Sequence, residues 1–251
     1  MRDGYLSKVT LSPRRGEHAW MKLRDLYDVH QAIWAAFAGG EPGAQAPFLF
    51  RADPVREGDV MVMRALVQSV RVPDWAALGD SVTSVEGPKS RDDAWWDAHA
   101  QKGAVLRFFL RANTTQSVRD GHGDDPKPLV PGGPRTRGKR VALEGEQAQL
   151  DWFARRAAGC GFALCQREIV VKRRDGSVLS AHHEPELRTS NVRVWRWAAG
   201  EGKRFASHQG VDFEGLLEVT DQALLRRAVQ DGIGPAKSMG FGMLSLARHV
   251  G

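Results

Sequence analysis

Tyr27, His30 and Trp34 follow one another at spacings of three and four residues, so on a helix all three share one ridge. An imidazole titrates near neutral pH, which suits proton transfer in phosphodiester cleavage. In RNA that reaction needs no metal. The 2′-hydroxyl attacks in line, one group accepts its proton, and another protonates the leaving 5′-oxygen. A tyrosine hydroxyl beside His30 would orient the nucleophile or share the proton work. The same pair on a helix also serves plain packing, and spacing alone leaves both readings open.

A second constellation lies near the C-terminus, where Gly232, Gly234, Gly240 and Gly242 flank Lys237 and Ser238. Glycines let a backbone take φ > 0 and come close to a ligand, and a lysine-bearing loop of this kind suits a phosphate. It is not a P-loop, because Ala236 stands where that motif has glycine before Lys237. Nor is it a dinucleotide fingerprint, because an apolar strand rather than a helix follows it. An ordinary structural turn has the same pattern.

The third feature is a basic load in the second half: Arg167, Lys172, Arg173, Arg174, Arg193 and Arg196, with Trp195 and Trp197 interleaved. Guanidinium and indole planes stack on exposed bases while the charges meet phosphates. Lys139 and Arg140 extend the patch. A solvated outer strand face would look alike, but the density of charge favours a polyanion.

Other chemistries find little support. No H-E-x-x-H or paired cysteine cluster is present, and His182 and His183 are adjacent, so a regular strand sends them to opposite faces. None of the eight histidines has Ser or Thr two residues later, as a two-histidine phosphoesterase requires. The Gly-x-Ser-x-Gly elbow of serine hydrolases is also missing.

The elements that must hold these groups can be read from periodicity. The 251 residues suffice for one large or two small domains, and the net charge of +6 points to a polyanionic partner. No apolar run approaches the roughly 20 residues of a membrane span. The opening residues lack a signal-peptide core, and Cys160 and Cys165 form neither a zinc site nor a disulfide framework. A soluble, reducing, cytoplasmic setting is expected. A strand over 5–11 is followed by a helix over 24–37, whose apolar positions are Leu26, Val29, Ile33 and Phe37. Strands over 48–51 and 59–70, a short helix around 92–100 and a strand over 105–111 complete a β-α-β-β-α-β unit. The Gly/Pro-rich stretch 116–137 reads as a flexible loop or linker. A second unit of the same order follows, with a strand over 139–143, a helix over 146–158 and a strand over 162–174 that turns at Asp175-Gly176. It continues with a strand over 211–219, a helix over 222–230 and a last strand over 243–246. The expected fold is α+β, two tandem ferredoxin-like (RRM-like) domains with antiparallel sheets, over 1–115 and 138–251.

Several motifs in order resemble a known family: the CRISPR precursor-RNA endoribonucleases of type I-E systems, called CasE. They are Tyr5 to Leu11 (YLSKVTL), Leu26 to His30 (LYDVH), Leu106 to Asn113 (LRFFLRAN) and Gly138 to Leu143 (GKRVAL). Phe213 to Val219 (FEGLLEV) and Gly232 to Leu246 (GIGPAKSMGFGMLSL) complete the series, which spans nearly the whole chain. The resemblance implies a metal-independent endoribonuclease without cofactor. It would bind a CRISPR repeat stem-loop, cut at the 3′ base of the stem and leave a 2′,3′-cyclic phosphate. It would then stay on the mature crRNA as a subunit of the Cascade complex. His30 would be the principal catalytic residue and Tyr27 its partner, with acid and base roles unassigned. Lys22, Arg24 or Lys237 would stabilise the pentacoordinate phosphate, and Lys22 and Arg24 join the RNA-binding set. The alternative is a non-catalytic RNA-binding subunit that caps a guide-RNA hairpin.

Overall fold

The computed structural model describes residues 4–12, 26–37, 46–118, 139–199 and 204–249, apart from the side chains of Tyr27, Val118, Lys139, residues 191–199 and residues 204–207. In the first unit, strand β1 (Gly4–Leu11) leads to helix α1 (Leu26–Trp34) and then to the hairpin β2 (Phe48–Glu57) and β3 (Val60–Ser69). A 3₁₀ turn over Trp75–Ser81 stands where a second helix would be and feeds β4 (Val82–Arg91). The antiparallel sheet runs β2-β3-β1-β4, the ferredoxin-like order. Alternation along β1 buries Ser7, Val9 and Leu11 while Lys8 stays exposed. One face of α1, formed by Leu26, Val29 and Ile33, closes on Phe50, Ala65 and Val67.

Asp92 then caps α2 (Asp93–His99), its side chain accepting a hydrogen bond from Trp95 N at 3.0 Å. The second unit comprises β5 (Val105–Ala112), a ribbon of β6 (Thr115–Val118) and β7 (Lys139–Ala142), α3 (Glu146–Ala157) and β8 (Phe162–Leu164). It continues through a hairpin of β9 (Gln166–Lys172) and β10 (Val178–Pro185), then β11 (Leu187–Ala199), β12 (Arg204–Val219), α4 (Gln222–Asp231) and β13 (Leu244–Arg248). Its sheet runs β11-β12-β5-β13, with β8 also on β12. Strands β8 and β11 are two parts of one sheet edge, and the β9–β10 hairpin leaves the sheet between them. Counting them together, the order repeats that of the first sheet.

Three sequence expectations need correction. Val105–Arg111 does not close the first sheet: β5 lies between β12 and β13 of the second. That place in the first sheet belongs to β4, where no strand is expected from the sequence. Helix α2 likewise sends Trp96 and Ala100 into the second core, so the first sheet ends at Arg91 and the second unit's sheet begins at Val105. Lys139–Ala142 is not the second unit's first strand, because among the described residues it pairs only with β6. The expected hairpin turn is present, with Gly176 at φ 84° and Asp175 accepting a hydrogen bond from Ser177 N at 2.9 Å.

The two units meet through their sheets. Arg111 on β5 is 5 % exposed and Asp212 on β12 is 2 % exposed. Arg111 donates from Nε to Asp212 at 2.6 Å and from Nη1 to Asp53 on β2 at 2.8 Å. Burial opposes the guanidinium's charge, but the hydrogen bonds and charges of Asp212 and Asp53 outweigh it and hold Arg111 above its ordinary range. Beside this clamp, the Arg51 guanidinium lies 4.0 Å over the Phe109 ring.

Candidate active site and nucleic-acid interface

Helix α1 carries Tyr27 in its first turn and His30 one turn later. Since Leu26, Val29 and Ile33 point into the core, His30 falls at the edge of the buried face and is half-buried. Its ring sits among aromatic rings, with centroids 5.2 Å from Phe48, 6.0 Å from Phe50 and 6.0 Å from Trp34. Burial lowers the His30 pKa below the ordinary imidazole range, so the neutral ring dominates at neutral pH. Its Nδ1 is buried and has no hydrogen-bond partner among the described residues.

The glycine-rich loop lies against this helix. Gly240 is buried at φ 76°, and a Cβ there would stand 3.2 Å from Phe50 and 3.6 Å from Leu26. Phe241 enters the first unit's core although the loop follows α4 of the second unit. On the other side, a Cβ on Gly234 would meet the Trp152 ring at 2.9 Å. Ile233 N donates to Gly242 O at 2.8 Å, and Gly242 N donates to Arg111 O at 2.7 Å. The close approaches that glycine permits are therefore made to protein atoms. Gly240 and Gly242 are both buried and shape the loop from within. Gly234 is half-buried, Lys237 is half-buried and Ser238 is exposed. The Lys237 charge acts on the Cys160 thiol, whose pKa burial raises against the opposing charges of Arg156 and Lys237.

The basic residues divide into two groups. Lys172, Arg173 and Arg174 are exposed at the tip of the β9–β10 hairpin. Arg167 is exposed at its base, 3.8 Å from Glu184. Arg140 is exposed on β7 and separate from that hairpin. Lys22 and Arg24 lie outside the described residues, as do the side chains of Tyr27, Lys139, Arg193 and Arg196. The structure thus brings His30 and the glycine-rich loop together. It sets the hairpin charges on a separate element.

Two features escape sequence reading. The Phe48/Phe50 wall around His30 is visible beforehand only as strand alternation, with no sign of which helix it meets. His208 on β12 is a second half-buried imidazole, its pKa lowered by burial and its ring centroid 6.1 Å from Phe241. Its place among polar residues in the sequence gives no signal. No group of three or more His, Cys, Asp or Glu side chains placed to hold a metal occurs among the described residues.

Two ferredoxin-like units joined through their sheets, with an aromatic-walled histidine beside a glycine-rich loop, define a tandem RRM-like protein. A family model described as "CRISPR associated protein" matches residues 4–248, and the chain belongs to that family. It is 31% identical over 243 residues to the CRISPR system Cascade subunit CasE of Escherichia coli K12, covering 97% of this chain and 98% of that protein. It is 29% identical over 244 residues to the CRISPR-associated endoribonuclease Cse3 of Thermus thermophilus, covering 97% of this chain and 99% of the relative. Among solved structures, Cse3 bound to a 19 nt RNA superposes with a TM-score of 0.70 at 27% identity, over 97% of this chain and 99% of that one. Thermus thermophilus Cse3 bound to an RNA representing a pre-cleavage complex gives a TM-score of 0.68 at 27% identity, over 98% and 99% of the two chains.

Proposed function

We propose that this protein is a CRISPR-associated endoribonuclease that binds the repeat stem-loop of precursor crRNA and cuts it by attack of the 2′-hydroxyl. The observation that carries the reading is His30: a half-buried imidazole, kept neutral by burial, on the helix that lies against the glycine-rich loop. Neutral imidazole is the form that accepts a proton, and His30 takes the one released by the 2′-hydroxyl as that oxygen bonds to phosphorus. The bond from phosphorus to the 5′-oxygen breaks, and Tyr27 gives the leaving oxygen its proton. The products are a 2′,3′-cyclic phosphate and a 5′-hydroxyl, so atoms and charge balance without a metal or cofactor.

Outside the catalytic helix, the exposed hairpin tip of Lys172, Arg173 and Arg174, with Arg167 at its base, lies along the stem phosphates. Lys139, Arg140, Arg193, Arg196, Lys237 and Ser238 extend the contact, and Lys22, Arg24 or Lys237 supplies charge to the transition state. The cut falls at the 3′ base of the stem. The product stays bound, and the protein joins the other Cascade subunits in the cytoplasm. No helix among the described residues is long and apolar enough to cross a membrane.

The roles are separable with an RNA whose scissile 5′-oxygen is replaced by sulfur, a leaving group that needs no general acid. Tyr27→Phe should regain near wild-type cleavage on this substrate, whereas His30→Ala should stay inactive. The reverse pattern would exchange the two roles.

A further inference from the structure

A cavity of about 440 Å³ opens on the second sheet, on the face turned away from α3 and α4, where the β9–β10 hairpin joins it. Four arginines line it: Arg107 from β5, Arg167 from the hairpin base, Arg188 from β11 and Arg248 from the end of β13. Two carboxylates, Glu186 and Glu214, accompany them. Only part of this charge is satisfied internally. Glu214 holds Arg107 at 3.2 Å, and Arg167 stands 3.8 Å from Glu184. The side chains of Arg188, Arg248 and Glu186 have no hydrogen bond or ion pair among the described residues.

The cavity is a built feature. Glu186 N donates to Cys165 O at 2.6 Å, and Leu216 N donates to Glu186 O at 3.1 Å. A Cβ on Gly215 would lie 2.0 Å from that same Glu186 oxygen, so glycine is required for the chain to pass there. Glu186 is thereby held next to β11 and Arg188, at the sheet edge that pairs with β12.

We propose that this cavity holds an unpaired nucleotide adjoining the repeat stem, with Arg188 and Arg248 on its phosphate and Glu186 accepting a hydrogen bond from a 2′-hydroxyl or an exocyclic amine. The inference rests on the RNA-binding reading above and extends it from the stem to the flanking strand. Guanidinium groups match phosphate oxygens in a bidentate way. The free carboxylate among them repels an acidic peptide but suits a nucleotide, which carries donors beside its phosphate. The position agrees: RNA lying along the hairpin towards its base reaches the cavity at Arg167 and Glu186.

The test measures affinity for three labelled RNAs: the bare repeat stem-loop, and the same stem-loop with a short unpaired extension on its 5′ or its 3′ side. Wild type is expected to bind one extended RNA roughly tenfold more tightly than the bare stem-loop, about the worth of one charge-assisted hydrogen bond. The Arg188→Gln/Arg248→Gln variant changes only exposed side chains. It should bind the bare stem-loop as wild type does and lose the gain from the extension. Its salt slope on the extended RNA should fall by about 0.7 for each phosphate it no longer neutralises. A gain that survives in the variant, or that wild type never shows, overturns the nucleotide site. Absence of binding to the bare stem-loop would instead overturn the proposed function, and this site with it.

Discussion

At the scale of single residues, His30 is the group whose chemistry depends most on its surroundings. Its aromatic walls leave it half-buried with a lowered pKa, so the neutral ring persists as pH falls through the ordinary imidazole value of 6.5. Two consequences follow with the same sign. Cleavage that needs the neutral ring should hold through pH 6.5 and decline only below it, which a profile of kcat/KM against pH will show; an acid limb centred above 6.5 would count against His30 as proton acceptor. Folding stability should also fall as pH drops below 6.5, because there the unfolded chain binds the proton that the folded site resists. The helical spacing of Tyr27, His30 and Trp34 is legible in the sequence, as periodicity alone places them on one ridge. The lowered pKa is not, because it depends on Phe48 and Phe50, about twenty residues further along the chain.

Among the elements, the glycine-rich loop shows how a motif can be read correctly as a loop and incompletely as a site. Its positive φ values at Gly232, Gly234, Gly240 and Gly242 follow from the glycines. What the backbone approaches there is Trp152 on one side and Phe50 with Leu26 on the other. The loop therefore holds α1 in place as well as offering Lys237 and Ser238. Gly240→Ala must adopt a left-handed conformation costing roughly 1–2 kcal/mol, with added strain against Phe50. For a chain of this length each kcal/mol lowers Tm by about 2–4 °C, and the loss is measurable by thermal melting. An unchanged Tm would mean that the loop relaxes without strain. Strand β5 illustrates the opposite case. Its Leu106, Phe108 and Leu110 announce a buried strand, but either sheet would bury them equally well, and only the pairings to β12 and β13 decide. Strand β4 is hidden for a related reason: its residues are almost all exposed, so no apolar alternation marks it.

Across the whole molecule, the seam between the sheets keeps the two units in one arrangement. Arg111 joins Asp53 of the first sheet to Asp212 of the second, and its carbonyl accepts from Gly242 of the loop. Arg111→Met would strand Asp212 as a buried, unpaired charge, destabilising the fold by about 3–5 kcal/mol. Chemical denaturation should show this, whereas a loss below about 1 kcal/mol would mean that water reaches the seam. The tandem architecture is readable from repeated element order, but this clamp pairs residues from distant parts of the chain and leaves no local trace. The central claim concerns what the assembled molecule does to RNA. Its most direct test is cleavage of a labelled repeat hairpin in EDTA by wild type and by His30→Ala. A single cut at the 3′ base of the stem is expected from wild type, with the mutant about 10²–10⁴-fold slower yet still binding the hairpin. A hairpin bound but left intact by wild type, or cut equally by both proteins, would contradict the assignment of His30 as the catalyst.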